Sequence, residues 1–257
     1  MLREAKFFLG VGDGACANVG SKCTTAERIA VTIGTSAAAR LCLYQPISET
    51  PSERSAVSFR IPYHQGLFCY RIDKDHVLLG GALTDGGSVI QWARELLNYT
   101  DEEDFENVMK HLETKAVAEL KDRTEHHLSD FERSYSNSVP CTVPFLSGER
   151  STGFRNGATG VMMGLTRRTT AAGFLQGCFE GVSFRLNAVL ELIAANNTQD
   201  EKQFIIASGK AMEVNHYWRQ MIADTSGLRV VFDCETEKGS SRGAARLVAM
   251  ALNECSK

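Results

Sequence analysis

Two short apolar runs on either side of a small polar turn mark the first regular structure in the chain. RIAVTI and AAARLCL flank Gly34-Thr35-Ser36, and small, hydroxyl-bearing residues between two such runs predict a β-hairpin. A second pair follows, GLFCYRI and HVLLGGAL, joined by the polar turn Asp73-Lys74-Asp75. The period then changes. In TDGGSVIQWARELLN, Val89, Ile90, Trp92, Ala93, Leu96 and Leu97 form a stripe of helical spacing, with Thr84 or Asp85 placed to cap it. Residues 101–137 are rich in charge, with Phe105, Val108, Leu112, Val117 and Leu120 at helical intervals. This segment predicts one or two surface helices and a loop, lying outside any cleft.

The second half alternates. SVPCTVPFLSGERS predicts a strand and loop, and GVMMGL a short buried strand. Residues 169–196 predict one long, well-buried helix, because Leu175, Cys178, Phe179, Val182, Leu186, Val189, Leu190 and Ile193 recur at steps of three and four. QFIIASG reads as a buried strand, VNHYWRQMIADTSG as a helix ending at Gly227, LRVVFD as a strand and GSSRGAARLVAMALNE as a closing helix. Strand and helix in turn give an α/β order. There is no internal repeat and no low-complexity linker, so one compact domain is expected.

Composition narrows the function classes. The 257 residues are 43% hydrophobic and 23% charged, with a net charge of −3. That suits a globular protein and gives no bulk basicity for nucleic acid. No apolar run approaches the roughly 18 residues of a membrane span, and MLREAKFFLG lacks the flanks and core of a signal peptide. Of the eight cysteines none forms a CxxC pair and most lie in apolar strings, which predicts buried, reduced thiols in a cytoplasmic protein. No HxxxH or HExxH occurs, and His126-His127 sits in a polar stretch, so no histidine or cysteine metal site is expected.

The candidate chemistry lies among glycines. FLGVGDGACANVGSKC places Asp13 between Gly12 and Gly14, a setting for a tight turn or for a carboxylate that meets a substrate. Three predicted strands end in glycine with a small or hydroxyl neighbour: VTIGTS, LLGGALTDGG and FIIASGKA. In open α/β sheets ligands sit beyond such strand ends, where backbone N–H groups cradle phosphate. Neither GxGxxG nor GxxxxGK[ST] is present, so Rossmann and P-loop readings lose their support.

Taken in order, these motifs resemble the C-terminal half of the FGGY family of carbohydrate kinases. The resemblance runs from GVGDGACANVG through RIAVTIGTSAAARL, LLGGALTDGGSVIQWARELL and VPFLSGERSTGFRNGATG to IIASGKAMEVNHYWRQMIADTSGLRV and SSRGAARLVAM. It implies an actin-like, ribonuclease-H-like fold with a mixed central sheet, spanning 1–257 as one domain without the family's N-terminal sugar-binding lobe. It also implies ATP and Mg²⁺ as cofactors and a small-molecule sugar or gluconate-like sugar acid as substrate. That lobe or a second copy of the chain would be its partner.

By the same resemblance Asp13 is the base that takes a proton from the acceptor hydroxyl, and Gly14 lets the substrate approach. Gly34, Thr35 and Ser36 would touch the β- and γ-phosphates, against the plainer reading as a hairpin tip. Gly87 and Gln91, four residues apart on one helix face, would face the nucleotide, as would Gly209 and Asn215. Glu149 and Arg150 would form structural pairs near the cleft. The sequence departs from the family at Lys210, where a second glycine is usual, and at Phe154-Arg155-Asn156, where Trp-Asp-Pro is frequent. The competing expectation is a non-catalytic, actin-like nucleotide-binding module with a regulatory role.

Overall fold

The computed structural model describes residues 6–45, 66–99, 101–125, 139–197, 202–235 and 239–255. His126 and His127, with the rest of the charged segment to residue 137, lie outside the described residues. A six-stranded sheet forms the centre. Its strands are β1 (Arg28–Ile33), β2 (Ala37–Tyr44), β3 (Phe68–Arg71), β4 (His76–Leu83), β7 (Phe204–Ser208) and β8 (Val230–Phe232), in the order β3-β4-β2-β1-β7-β8. The first four pair antiparallel: short turns join β1 to β2 and β3 to β4, and β4 lies beside β2 although β3 comes between them in sequence. In contrast β7 joins β1, and β8 joins β7, in parallel. Parallel neighbours need long crossovers, and the helices of the second half supply them. A two-stranded ribbon, β5 (Cys141–Val143) with β6 (Val161–Met163), stands apart.

The period of two in each strand divides the core between the two sheet faces. Ile29, Val31, Ile33, Ala37, Ala39, Leu41, Leu43, Val77 and Leu79 join the main cluster. The long helix α4 (Ala171–Ala195) packs there through the eight apolar residues its spacing indicated, each 3% exposed or less. Thr170 caps α4 by accepting the Gly173 N–H at 3.1 Å. Each side chain buried this completely contributes about 1.5–3 kcal/mol as an upper estimate. The other face carries Ala30, Cys42 and Leu78. Ala15 of α1 (Asp13–Gly20) meets Cys42 and Leu78 there, and α7 (Gly239–Cys255) packs along α1.

Several local expectations need correction. Helix α2 (Gly87–Leu96) begins with Gly86 as its cap and no side-chain cap bond. Asp85 instead is buried and accepts the Ser147 N–H at 2.7 Å and the Ser88 hydroxyl at 3.1 Å, tying α2 to the loop after β5. Of the α2 stripe only Val89, Ile90 and Ala93 are buried; Trp92 and Leu96 are exposed. The GVMMGL segment is not buried: Val161 and Met163 of β6 are exposed, because a two-stranded ribbon has a solvent side. The described part of the charged segment is a helix, α3 (Glu102–Glu125), which is not merely a surface element: Leu112 is fully buried and Phe105, Val108 and Met109 pack on the main core. Cys16, Cys23, Cys42 and Cys178 are buried as expected, but Cys141 and Cys234 are exposed; all the cysteines with described side chains are unpaired.

Candidate active site

The hairpin tip between β1 and β2 docks on the first turn of α2. Gly87 N–H donates to Gly34 O at 2.8 Å, and the N–H groups of Gly86 and Ser88 donate to Thr35 O at 2.9 and 3.1 Å. The first amides of α2 are therefore consumed in holding the tip. The tip keeps its own donors: Gly34 N–H bonds to Ser36 O at 2.9 Å, whereas the N–H and hydroxyl groups of Thr35 and Ser36 have no partner among the described residues. Both residues are exposed. Four unspent donors converge on one exposed turn.

Beside the tip lies a cleft of about 720 Å³, within the range of small-molecule sites. Gly34 and Thr35 line one side, Gly87, Gln91 and Arg94 of α2 another, and Lys210, Ala211 and Asn215 a third, with Phe179 and Trp218 at the floor. The three glycine-bearing strand ends thus converge. Gly209 sits behind the lining at φ +97°, a left-handed conformation that favours glycine, and a Cβ there would lie 2.4 Å from Ile33 O. Helix α5 (Lys210–Val214) starts from it and α6 (His216–Ser226) follows.

Individual side chains refine the expectations. Gln91 is exposed and bonds to Glu95 at 3.1 Å while lining the cleft. Asn215 accepts the Trp218 N–H at 2.8 Å as the cap of α6, which leaves its amide nitrogen for a ligand. Lys210 does not close the cleft: it is exposed and ion-paired to Glu213 at 2.9 Å, one turn along α5. Phe105 and Tyr99 also line the cleft, so the charged segment does not lie wholly outside it. The available signal was the apolar stripe Phe105, Val108 and Leu112, which a wholly solvated helix does not need. The Gly-Glu-Arg step is half as expected. Glu149 is buried and pairs with Arg185 at 2.6 Å, but Arg150 is exposed and makes no ion pair among the described residues.

Asp13 and Gly14 stand at the start of α1, on the sheet face opposite α4. Asp13 is exposed; one carboxylate oxygen accepts the Gly14 N–H at 2.8 Å, and Ser240 donates to its carbonyl at 3.3 Å. The other carboxylate oxygen is free of protein partners among the described residues. Over Gly14 stand Arg40 and Tyr70: a Cβ there would lie 3.0 Å from Arg40 Nε and 3.2 Å from the Tyr70 hydroxyl. Burial pulls the Arg40 pKa below its ordinary value, with Tyr70 and Asp13 acting against the shift and Arg150 adding to it. Burial raises Tyr70 above the usual phenol range. Sequence reasoning missed this pair, since nothing in AAARLCL or LFCYRI indicates that Arg40 and Tyr70 meet over Gly14.

A mixed central sheet flanked by helices, with a glycine hairpin docked on a helix start, is the arrangement of an actin-like fold. The chain belongs to the FGGY family of carbohydrate kinases: the family's C-terminal domain matches residues 29–252. It is 25% identical to the gluconokinase of Bacillus subtilis (strain 168) over 253 residues, covering 95% of this chain and 42% of that protein. It is 35% identical to the xylulose kinase of Klebsiella pneumoniae over 112 residues, 44% of this chain and 22% of that protein. Among solved structures, ligand-bound xylulose kinase from Lactobacillus acidophilus superposes with a TM-score of 0.69 at 27% identity, over 96% of this chain and 43% of that one. Gluconate kinase from the same organism gives 0.68 at 27%, over 95% and 42%. The chain thus spans under half the length of these relatives.

Proposed function

We propose that this chain is the nucleotide-binding and catalytic-base half of a kinase that moves the γ-phosphoryl group of ATP to a hydroxyl of a sugar or a gluconate-like sugar acid. The observation that carries the reading is the hairpin tip, with four unspent donors at Thr35 and Ser36 at the edge of a cleft large enough for a nucleotide. Such donors suit phosphate oxygens, and Gly34 has open space where a side chain would stand. Thr35 and Ser36 hold charge on the phosphoryl oxygens, Gly87 and Gln91 border the nucleotide, and Asn215 offers its amide to the ribose or base. The Asp13 carboxylate takes the proton of the acceptor hydroxyl as that oxygen attacks phosphorus. Positioning and charge stabilisation are the main demands of phosphoryl transfer.

Mg²⁺, which the family implies, would supply further neutralisation of the phosphates. Among the described residues no three His, Cys, Asp or Glu side chains gather; a nucleotide-borne Mg²⁺ needs only one or two carboxylates beside the phosphate oxygens. The acceptor site is completed by a sugar-binding lobe, as the length of the relatives suggests. The unpaired cysteines suit a reducing compartment such as the cytoplasm. A regulatory module that only binds nucleotide would not need a free carboxylate oxygen at Asp13.

Asp13→Asn separates the two. In the full-length kinase it keeps nucleotide affinity and loses about 10²–10⁴ in kcat, the worth of a positioned general base. A variant within about threefold of the parent, under roughly 0.7 kcal/mol of barrier, assigns the base elsewhere. Absence of ATP binding by the parent would reject the nucleotide reading itself.

A further inference from the structure

Among the described residues Arg40 has no hydrogen-bonded counterpart for its charge. It lies on β2, on the sheet face where Cys42 and Leu78 meet Ala15 of α1, and its Nε would stand 3.0 Å from a Cβ on Gly14. Among the described residues its guanidinium makes no hydrogen bond and no ion pair. Asp13 acts on it only through space, and the exposed Arg150 adds a second positive charge rather than a partner. The Tyr70 hydroxyl, equally close to Gly14, has no hydrogen-bond partner among the described residues either. A half-buried guanidinium with five unspent donors is costly, and an anion that enters beside it offsets the cost.

The placement says where the anion comes from. Arg40 does not line the nucleotide cleft, which opens among Gly34, Gly87 and Asn215. It stands instead over Gly14, the residue after Asp13, and so beside the carboxylate to which the kinase reading gives the acceptor's proton. A planar guanidinium matches a carboxylate through two parallel hydrogen bonds, and a phenol hydroxyl adds a third donor.

We propose that Arg40, with Tyr70 beside it, receives the carboxylate of the acceptor, and that the acceptor is an aldonate rather than a neutral sugar. The inference rests on the kinase reading and adds the substrate class and the residue that selects it.

Gluconate and glucitol differ only at the group in question, a carboxylate against a hydroxymethyl. In the full-length protein, gluconate should be favoured, and Arg40→Gln should raise the KM for gluconate roughly ten- to a hundredfold. The same change leaves the KM for glucitol and the affinity for ATP unaltered, and Tyr70→Phe weakens gluconate severalfold. Arg40→Lys, which keeps the charge and loses the fork, falls between and serves if Arg40→Gln does not fold. Equal effects on both acceptors, a preference for glucitol, or a loss confined to the ATP KM would overturn the proposal. The last result would put Arg40 on the phosphates. Binding is read separately by ¹⁵N-arginine spectra, in which gluconate and not glucitol should shift an Nε–H signal that Arg40→Gln removes. Such a shift without turnover would reject the kinase reading and keep the carboxylate site; no shift rejects the site.

Discussion

The Gly87 amide donates to the Gly34 carbonyl at 2.8 Å, and that bond fixes the hairpin tip relative to the cleft. The two glycines have opposite tolerance. A Cβ on Gly87 would lie 2.6 Å from the Gly34 oxygen, which is backbone and yields only if the hairpin moves. A Cβ on Gly34 meets nothing within 4 Å.

Gly87→Ala should therefore cost about 1–3 kcal/mol of stability, as overpacking does, and also weaken ATP binding by displacing the tip. Gly34→Ala should melt like the parent and weaken ATP binding alone, since its methyl enters the cleft. Thermal melts paired with nucleotide titrations check both. A Gly87→Ala protein with parental stability and affinity would show that the tip is not held as described.

The floor of the cleft gives a second test. Trp218 is 1% exposed, and its indole N–H donates to the Ser183 hydroxyl at 3.0 Å. Ser183→Ala strands that donor in an apolar core and should cost about 1–3 kcal/mol in a urea titration. Because the chain has two tryptophans, Trp92→Phe leaves Trp218 as the sole emitter. Its fluorescence should respond to saturating ATP. An unchanged spectrum alongside proven binding would place the nucleotide elsewhere.

Much of this arrangement was legible because burial writes itself into spacing. Helix α4 showed eight apolar positions at helical steps, and all eight are buried. The hairpin and the three glycine strand ends were marked by residue types that few other conformations require. What was not legible depends on contacts distant in sequence. Asp85 was read, with Thr84, as a candidate local cap, yet besides the nearby Ser88 hydroxyl it holds the Ser147 N–H, 62 positions away. Glu149 was expected to form a structural pair, but its partner, Arg185 on α4, lies 36 positions away and carried no mark in the sequence. Arg40 and Tyr70 lie in apolar strands that look merely structural, and only the register of β2, β4 and β3 brings them together over Gly14. Phe105 was read as an apolar position of a surface helix, but its place in the cleft depends on how α3 packs against the main core.

Glu149 and Arg185 set a third expectation. Glu149 is 7% exposed and accepts from Arg185 at 2.6 Å and from the Gly153 N–H at 3.1 Å. Arg185 also donates to Ser151 O at 3.1 Å, and Ser151 exchanges two bonds with Ala82 at the end of β4. Arg185→Met leaves the Glu149 charge buried without its ion partner, and about 3 kcal/mol should be lost, the low end for a buried pair because Arg185 is partly exposed. Adding Glu149→Gln to Arg185→Met should recover part of that loss. A double variant no better than the single one would mean that the charge of Glu149 is not what makes the loss of Arg185 costly.

The buried thiols predict an alkaline weakness. Burial pushes both Cys42 and Cys178 up from the ordinary value of 9.0 to about 12. The folded protein keeps these protons between pH 9 and 12, while the unfolded chain releases them. Above pH 9 the unfolded state binds fewer protons, so stability must fall as pH rises. The contribution is fully present below pH 9 and is lost toward pH 12, at up to about 1.4 kcal/mol per pH unit for each thiol. Other groups titrate in the same range, so the test is a difference. Cys178→Ala should be less stable than the parent at pH 7, through the atoms it removes. Its deficit should then shrink by about 1 kcal/mol between pH 9 and 10, because the variant has one fewer proton to withhold. Urea midpoints at pH 7, 9 and 10 measure this directly. A deficit that stays constant across that range would mean that the Cys178 thiol ionises as readily in the folded chain as in the unfolded one. A thiol reagent at pH 8 should then label Cys178 as fast as the exposed Cys141 and Cys234, instead of leaving it untouched.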